Sequence, residues 1–436
     1  MKFLHRVACA VLLVPAWAHA GEYLELNQLN LVDATGAPAR VVQRLVIHDG
    51  TIVAIDGEGT VPEPGPGARW TRIDLDGAWV MPGLIDTHVH VARFPETRRH
   101  AERILRSAVR GGVTGVRDLG GDARALADIE RAMGVGEFVG PELLFSVMLG
   151  GPDIYRGGPT SSLASGRAPG GAAWARVATA DTDWRLAIAE AKGAGVGNIK
   201  LYGDLDAETS RTIIAEAQRQ QLRTSAHATV FPGRPGELVE AGIGSLSHAP
   251  YLVWEAVDSV PSDYGARIAG PWTSIAPDHP RLLALYARMA ERGVLLDATL
   301  WVYKAMQSFS PQMQADWAQD AFAWAAEATR HAHRAGVGVT VGTDWFEPRS
   351  DWELPNTHQE LALLVDAAGF TPMEAVVAGT RNGALAMGLG DTHGTVEVGK
   401  VADLLVLQAN PLDDIRNTTR IRMTIRQGVV VDAGRP

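Results

Sequence analysis

The chain has 436 residues, of which 46% are hydrophobic and 21% charged, and its formal net charge is -10. That length accommodates a large barrel and a second, smaller domain. The acidic balance argues against a nucleic-acid footprint or an anionic membrane surface, and by itself says nothing about a substrate.

Residues 1–20 read as a secretory signal peptide. Lys2 and Arg6 form a positive leader, 7–17 an apolar core too short to anchor in a bilayer, and Ala18-His19-Ala20 a small-x-small cleavage site. An uncleaved anchor is the alternative. The single cysteine, Cys9, lies inside this segment with apolar residues continuing beyond it, unlike a lipoprotein signal. The mature chain would then have no cysteine and no disulfide, and any metal would have N and O ligands. A bacterial periplasm or the cell exterior is the expected location.

A β-rich stretch follows. Residues 23–32 alternate apolar and polar, 41–47 and 51–55 flank the turn His48-Asp49-Gly50, and 70–75 is a further strand beyond a Pro/Gly loop at 63–67. No titratable groups gather here, so this region reads as scaffold.

At 80–90 the sequence VMPGLIDTHVH ends a strand with His88 and His90 two residues apart, on one face. Neutral imidazole is the commonest side-chain ligand for zinc-like metals, though two exposed or core histidines would read the same way. From here the pattern alternates strand and helix. Strands are expected at 84–90, 114–118, 142–147, 197–202, 222–227, 244–248, 294–300 and 337–344, with helices at 97–110, 184–193, 207–220, 280–292 and 311–335. Eight such units suggest a (β/α)8 barrel, with a doubly wound sheet as the alternative.

Barrel active sites lie at the C-terminal ends of the strands. The polar residues at those ends are His88 and His90, Lys200, His227, His248 and Asp344. Each has a plain alternative: a snorkelling surface lysine, hydrogen-bonded core histidines, a helix N-cap. Their recurrence at matching positions on five strands is what argues for a shared site.

The motifs then become specific. They are VMPGLIDTHVH at 80–90, GGVTGVRDLGG at 111–121, IKLYGD at 199–204, SAHA at 225–228, SLSHA at 245–249, VGTDW at 341–345 and TRNGALAMGLGDTHGTVEVGKVADLLVL at 380–407. With these the sequence resembles the amidohydrolase superfamily of metal-dependent hydrolases. It is most similar to the imidazolonepropionase-like branch, with its prolidase-like dipeptidases and N-acyl amino acid amidases, and the likeness covers nearly all of the mature chain. The resemblance implies an α/β fold: a TIM-like (β/α)8 barrel at 80–388 carrying a small β-sandwich built from 21–79 and 389–436. That sandwich gives a place to late strands around 396, 402–407 and 421–431. It implies a binuclear centre of two divalent ions, zinc expected, with His88, His90 and Asp344 on the first and His227 and His248 on the second. Lys200 would bridge them as a carbamate, because an ammonium has no lone pair to give and a carbamate resembles a carboxylate. A metal-bridging hydroxide would attack the scissile carbonyl, and Asp344 would pass its proton to the departing amine.

The implied partner is a small-molecule substrate, with no nucleic acid and no membrane once the signal is removed; a homo-oligomer is open. Tyr202 shares the strand face of Lys200, where it could reach a substrate carboxylate or simply pack. Arg117 and Asp118 read as a structural ion pair or cap, His358 and Glu360 as capping or support, and His331 and His333 as surface residues. The 150–171 loop, with Tyr155 and Arg156, lacks the histidine that relatives often carry there, which leaves substrate preference open. The aromatic 301–324 region, with Tyr303, Phe309 and Trp317, is a lid or an ordinary packed helix. The expected activity is hydrolysis of an amide in a dipeptide or N-acyl amino acid. A lactone, cyclic amide or phosphoester is the second reading, and a catalytically dead periplasmic binding protein the third.

Overall fold

The strand pattern that begins at Leu84 produces eight parallel strands in chain order: Leu84–Val89, Val113–Asp118, Glu142–Gly150, Asn198–Leu201, Arg223–His227, Ser245–Ser247, Leu295–Asp297 and Val339–Thr340. Each pairs with the next. The computed structural model describes residues 21–92, 98–156, 159–164, 166–308, 316–344 and 353–431; the expected signal peptide and Phe309 lie outside them.

Backbone hydrogen bonds join the last strand to the first. Thr87 N donates to Val341 O at 2.8 Å, and Asp344 N donates to His88 O at 2.7 Å. In a doubly wound sheet these two strands would not meet in this order, so the closure decides for the barrel.

The helices pack on the barrel through stripes at helical spacing, such as Ala101, Ile104, Leu105, Ala108 and Val109 of Arg98–Arg110. Burying one such leucine or isoleucine contributes about 2 kcal/mol. Aspartates stop the preceding loops by capping: Asp183 accepts from Leu186 N and Asp206 from Thr209 N.

The seventh strand departs from expectation. It ends at Asp297, and a helix, Leu300–Met306, begins where strand was expected. Thr299 has φ 52°, a left-handed backbone that breaks the strand and turns the chain. The helix expected at 311–335 is described as Asp316–Arg334.

The chain ends build one mixed nine-stranded sheet. Trp79–Pro82 runs parallel to the end of Glu22–Leu31 and antiparallel to Leu404–Leu407, so early and late segments share hydrogen bonds. Glu22–Leu31 pairs first with Arg69–Asp74 and then with Trp79–Pro82, changing partner near Gln28, where φ is 56°. The sheet has its own core, including Leu26, Leu45, Ile52, Leu404 and Val406. Val396 is buried in that core from a loop rather than from a strand.

The sheet joins the barrel at the N-terminal ends of the barrel strands. There Arg426 donates through Nη1 to both carboxylate oxygens of Asp403 at 3.0 Å, through Nη2 to Glu142 at 2.8 Å and through Nε to Gly140 O.

Candidate active site

At the opposite, C-terminal rim the structure gathers the histidines into a row. Ring centroids are 5.4 Å apart for His90 and His88, 5.1 Å for His88 and His248, and 4.6 Å for His248 and His227. Alternation along Leu84–Val89 and its continuation puts His88 and His90 on one side. His227 and His248 end or directly follow the fifth and sixth strands.

Each imidazole is held through Nδ1 by a different partner: His88 by Asp297 at 2.6 Å, His90 by Gly120 O at 3.0 Å, His248 by Thr299 Oγ1 at 2.9 Å, and His227 by the Tyr264 hydroxyl at 3.1 Å. A carbonyl and a carboxylate can only accept, so Nδ1 carries a proton in His88 and His90, and Nε2 of each is the ring nitrogen turned toward Asp344.

Asp344 completes the row. Its Oδ1 lies 3.1 Å from Nε2 of both His88 and His90. Donor atoms of His88, His248 and Asp344 all lie within 4.8 Å of one another, a set that can hold a cation. His248, Thr299 and Asp344 all turn out of their strands with positive φ, at 70°, 52° and 56°. Strained non-glycine backbone of this kind concentrates at functional sites.

The electrostatics fit a cation at this place. Burial opposes charge on His88, but Asp344 and Asp297 outweigh it and raise its pKa. Burial likewise opposes the Asp344 carboxylate, and His88 and His90 overcome it, holding it well below the usual range. Burial pushes His248 down to about 3 and, with the Lys200 charge, His227 well below 6.5, so both are neutral donors. A divalent ion held by His88, His248 and Asp344 would supply the positive charge that Asp344 otherwise draws from His88.

Lys200 is fully buried, and its Nζ donates to Ser247 Oγ at 3.0 Å. Burial pushes its ammonium down to about 7; Asp297 works against that shift and Arg117 with it.

The structure corrects the reading of Arg117. It does not pair with Asp118. Its side chain enters the barrel, where Nε donates to Thr87 O at 2.8 Å and Nη1 to Ser245 Oγ at 3.1 Å. Asp118 is the cap expected, accepting from Val91 N and Gly120 N. His358 bonds Gly111 O and Thr418 Oγ1, tying the barrel to a late loop. Glu360 accepts from Leu300 N and Trp301 N and so caps the helix behind the site. His331 and His333 are half-buried rather than surface residues; His333 stacks on Phe370 and pairs with Glu374. Tyr155 is buried with its hydroxyl on Met148 O, and Arg156 pairs with Asp153, so both hold their loop. In the 301–324 region Tyr303 and Trp324 are buried, and among the described residues there Tyr303 is the aromatic that reaches the site, 6.0 Å from His248.

Some residues here were not anticipated. Asp297, on the seventh strand, orients His88. Tyr264 and Tyr251, from the loop after His248, stand against His227 and His248. Tyr202 packs 4.2 Å from His227 and is hydrogen-bonded to Tyr264. The Asp in Leu295–Asp297 sits at a strand end and could have been read from that alone; the tyrosines lie in a loop with no periodic signal.

A family model, "Amidohydrolase family", matches residues 79–431. The chain belongs to the amidohydrolase family. It is thereby a hydrolase acting on carbon–nitrogen bonds, of a family that generally binds divalent metals. Among characterised amidohydrolases, it is 26% identical to ochratoxinase of Aspergillus niger over 88% of this chain and 81% of that one. It is 24% identical to imidazolonepropionase of Salinispora tropica over 84% and 85%. A putative prolidase from Bifidobacterium longum superposes with TM-score 0.69 at 26% identity over 94% of both chains. A Xaa-Pro dipeptidase with bound methionine shares the fold, with TM-score 0.72 at 18% identity over 94% of this chain and all of the other.

Proposed function

We propose that this amidohydrolase is exported and hydrolyses the amide bond of a dipeptide or N-acyl amino acid at a binuclear metal centre. The observation that carries the reading is the row of four imidazoles, each held at Nδ1, converging with Asp344 and a buried Lys200. His88, His90 and Asp344 would hold one ion and His227 and His248 the other. Lys200 would join both: as a neutral amine it adds carbon dioxide, loses a proton and becomes a carboxylate-like bridging group. The N/O donor set suits zinc. When bound, such ions lower the pKa of water and polarise the scissile carbonyl.

The protein's own groups do the rest. Asp344, four residues beyond the eighth strand and hydrogen-bonded through its backbone to His88, would take the proton of the attacking water. It then returns that proton to the departing amine. Asp297 fixes the His88 ring and tautomer. Tyr251, Tyr264 and Tyr303 exclude water on one side of the row, their phenols kept protonated by burial. Export is supported by Lys2, Arg6, the apolar 7–17 run and Ala18-His19-Ala20, and N-terminal sequencing of the secreted protein tests it.

The deciding experiment measures metal content and turnover after reconstitution with zinc and bicarbonate. Dipeptides, N-acyl amino acids, lactones and a phosphotriester form the panel. Amide cleavage with about two ions per chain supports the reading. Two ions with cleavage of only esters, lactones or phosphoesters refutes the substrate assignment, and absence of metal binding refutes the centre.

A further inference from the structure

We propose that Arg267 determines substrate specificity by binding a free carboxylate on the amino acid portion of the substrate. The inference rests on the amidase reading above and adds the group by which the substrate is recognised.

Arg267 lies in the short turn Tyr264–Ile268, in the loop that carries tyrosines to the site. It is half-buried, and its guanidinium carbon stands 4.4 Å from the Tyr264 ring centroid. Its Nη1 donates to the Tyr264 backbone carbonyl at 3.2 Å. Among the described residues it forms no ion pair with a carboxylate. The titratable groups that act on it are Tyr264, Tyr251, Tyr202 and Tyr303, phenols that are uncharged at neutral pH.

Three other partly or fully shielded arginines are satisfied within the protein. Arg426 has Asp403 and Glu142, and Arg288 has Glu255. Arg234 spends its guanidinium on the carbonyls of Trp254, Glu255, Val257 and Asp258. A guanidinium offers five N–H donors in a fork matched to a carboxylate. Arg267 uses little of that capacity within the protein and keeps its charge without a counter-ion in a partly dehydrated place, a state that favours arrival of an anion.

Its position says which anion. Tyr264 stands between Arg267 and the imidazole row: its ring lies under the guanidinium, and its hydroxyl bonds His227 Nδ1. A group held by Arg267 is therefore one aromatic ring from the reacting centre. In a dipeptide or N-acyl amino acid, the α-carboxylate carbon is two bonds from the scissile nitrogen, which suits this short reach. Tyr202, half-buried beside His227 and Tyr264, adds a hydroxyl on the same side.

The test uses zinc-loaded wild type, Arg267→Ala and Arg267→Lys, with N-acetyl-L-phenylalanine, -leucine, -proline and -arginine and their C-terminal carboxamides. Acetate release gives kcat and KM. The wild type is expected to prefer the free acids. Arg267→Ala should raise KM for the acids by roughly 10- to 100-fold, with kcat changed much less. The carboxamides should be unaffected, and Arg267→Lys should recover part of the loss. Equal losses on acids and carboxamides, or no loss, overturn the proposal. Binding of the same compounds by calorimetry separates it from the reading beneath it. A carboxylate preference abolished by Arg267→Ala without any amide cleavage supports Arg267 and sinks the amidase assignment. Cleavage with no binding preference for the carboxylate does the reverse.

Discussion

The two ends of the barrel both contain buried charge, and they treat it in opposite ways. At the N-terminal end, Arg426 answers Asp403 with two hydrogen bonds, Glu142 with a third and Gly140 O with a fourth. Gln427 N adds a further bond to Asp403. Donors and acceptors meet within the protein, and the cluster locks the sheet of the chain ends to the barrel. At the C-terminal rim, four imidazoles spend one nitrogen each on holding still and turn the other toward the common row. One end pairs its charges among several elements, while the other lines its imidazoles up around a single carboxylate. Saturation of partners, more than burial or charge, is what separates a joint from a reactive centre.

This contrast can be broken most decisively at Asp344. Asp344→Asn keeps the shape but removes the proton acceptor, and turnover should fall by at least about 10³-fold. Circular dichroism and the melting temperature should stay near wild type; retained turnover would remove Asp344 from the proton path. At the other end, Arg426→Ala leaves the buried Asp403 carboxylate without its guanidinium, keeping only the Gln427 N–H bond and the nearby His393, and should lower stability by about 3 kcal/mol in denaturant unfolding. Its folded fraction should keep the wild-type KM. A change in KM without loss of stability would mean that the two ends are not independent.

A third test uses pH. Burial holds His358 down to about 4, against 6.5 for an exposed imidazole. Between those values the unfolded chain binds a proton that the native protein does not, so stability falls as pH drops from 6.5 toward 4. The loss amounts to about 3 kcal/mol when complete. His358→Gln should flatten that part of the stability–pH curve, and an unchanged slope would assign the acid sensitivity elsewhere. The smallest effect is expected for Asp297→Asn, which leaves His88 in place but loosens its orientation. Metal affinity should fall roughly 10- to 100-fold, read by competition with a chelator. Unaltered affinity would make Asp297 a packing residue.

How far the sequence reached can be judged from the same residues. That His88, His90, Lys200, His227, His248 and Asp344 come together could be expected because each lies at or just beyond the C-terminal end of a strand, and a barrel brings those ends together whatever lies between. Asp297 also ends a strand, but its run LLDATL reads as apolar and its partner is 209 residues away in sequence. Arg117 was misread because neighbours in a strand point to opposite faces, so the adjacent Asp118 was never within reach. His333 was assigned to the surface from helical position alone, while Phe370 stacks on it from the loop that follows the helix Thr357–Asp366. Arg267 and the tyrosines come from a loop whose path is set by tertiary packing, which no periodicity records.

The shared sheet of the chain ends also orders events during synthesis. Glu22–Leu31 is made early, yet the strands that complete its sheet, Leu404–Leu407 and Ile421–Arg426, are made last. Until they arrive, Leu26, Leu45 and Ile52 lack the late half of their core. The nascent chain must therefore carry an apolar, half-paired sheet edge for most of its translation, a period in which association with other chains competes with folding. Interrupting synthesis before 404 should yield a barrel tethered to a sticky fragment, and the final strands are what make the molecule safe to release.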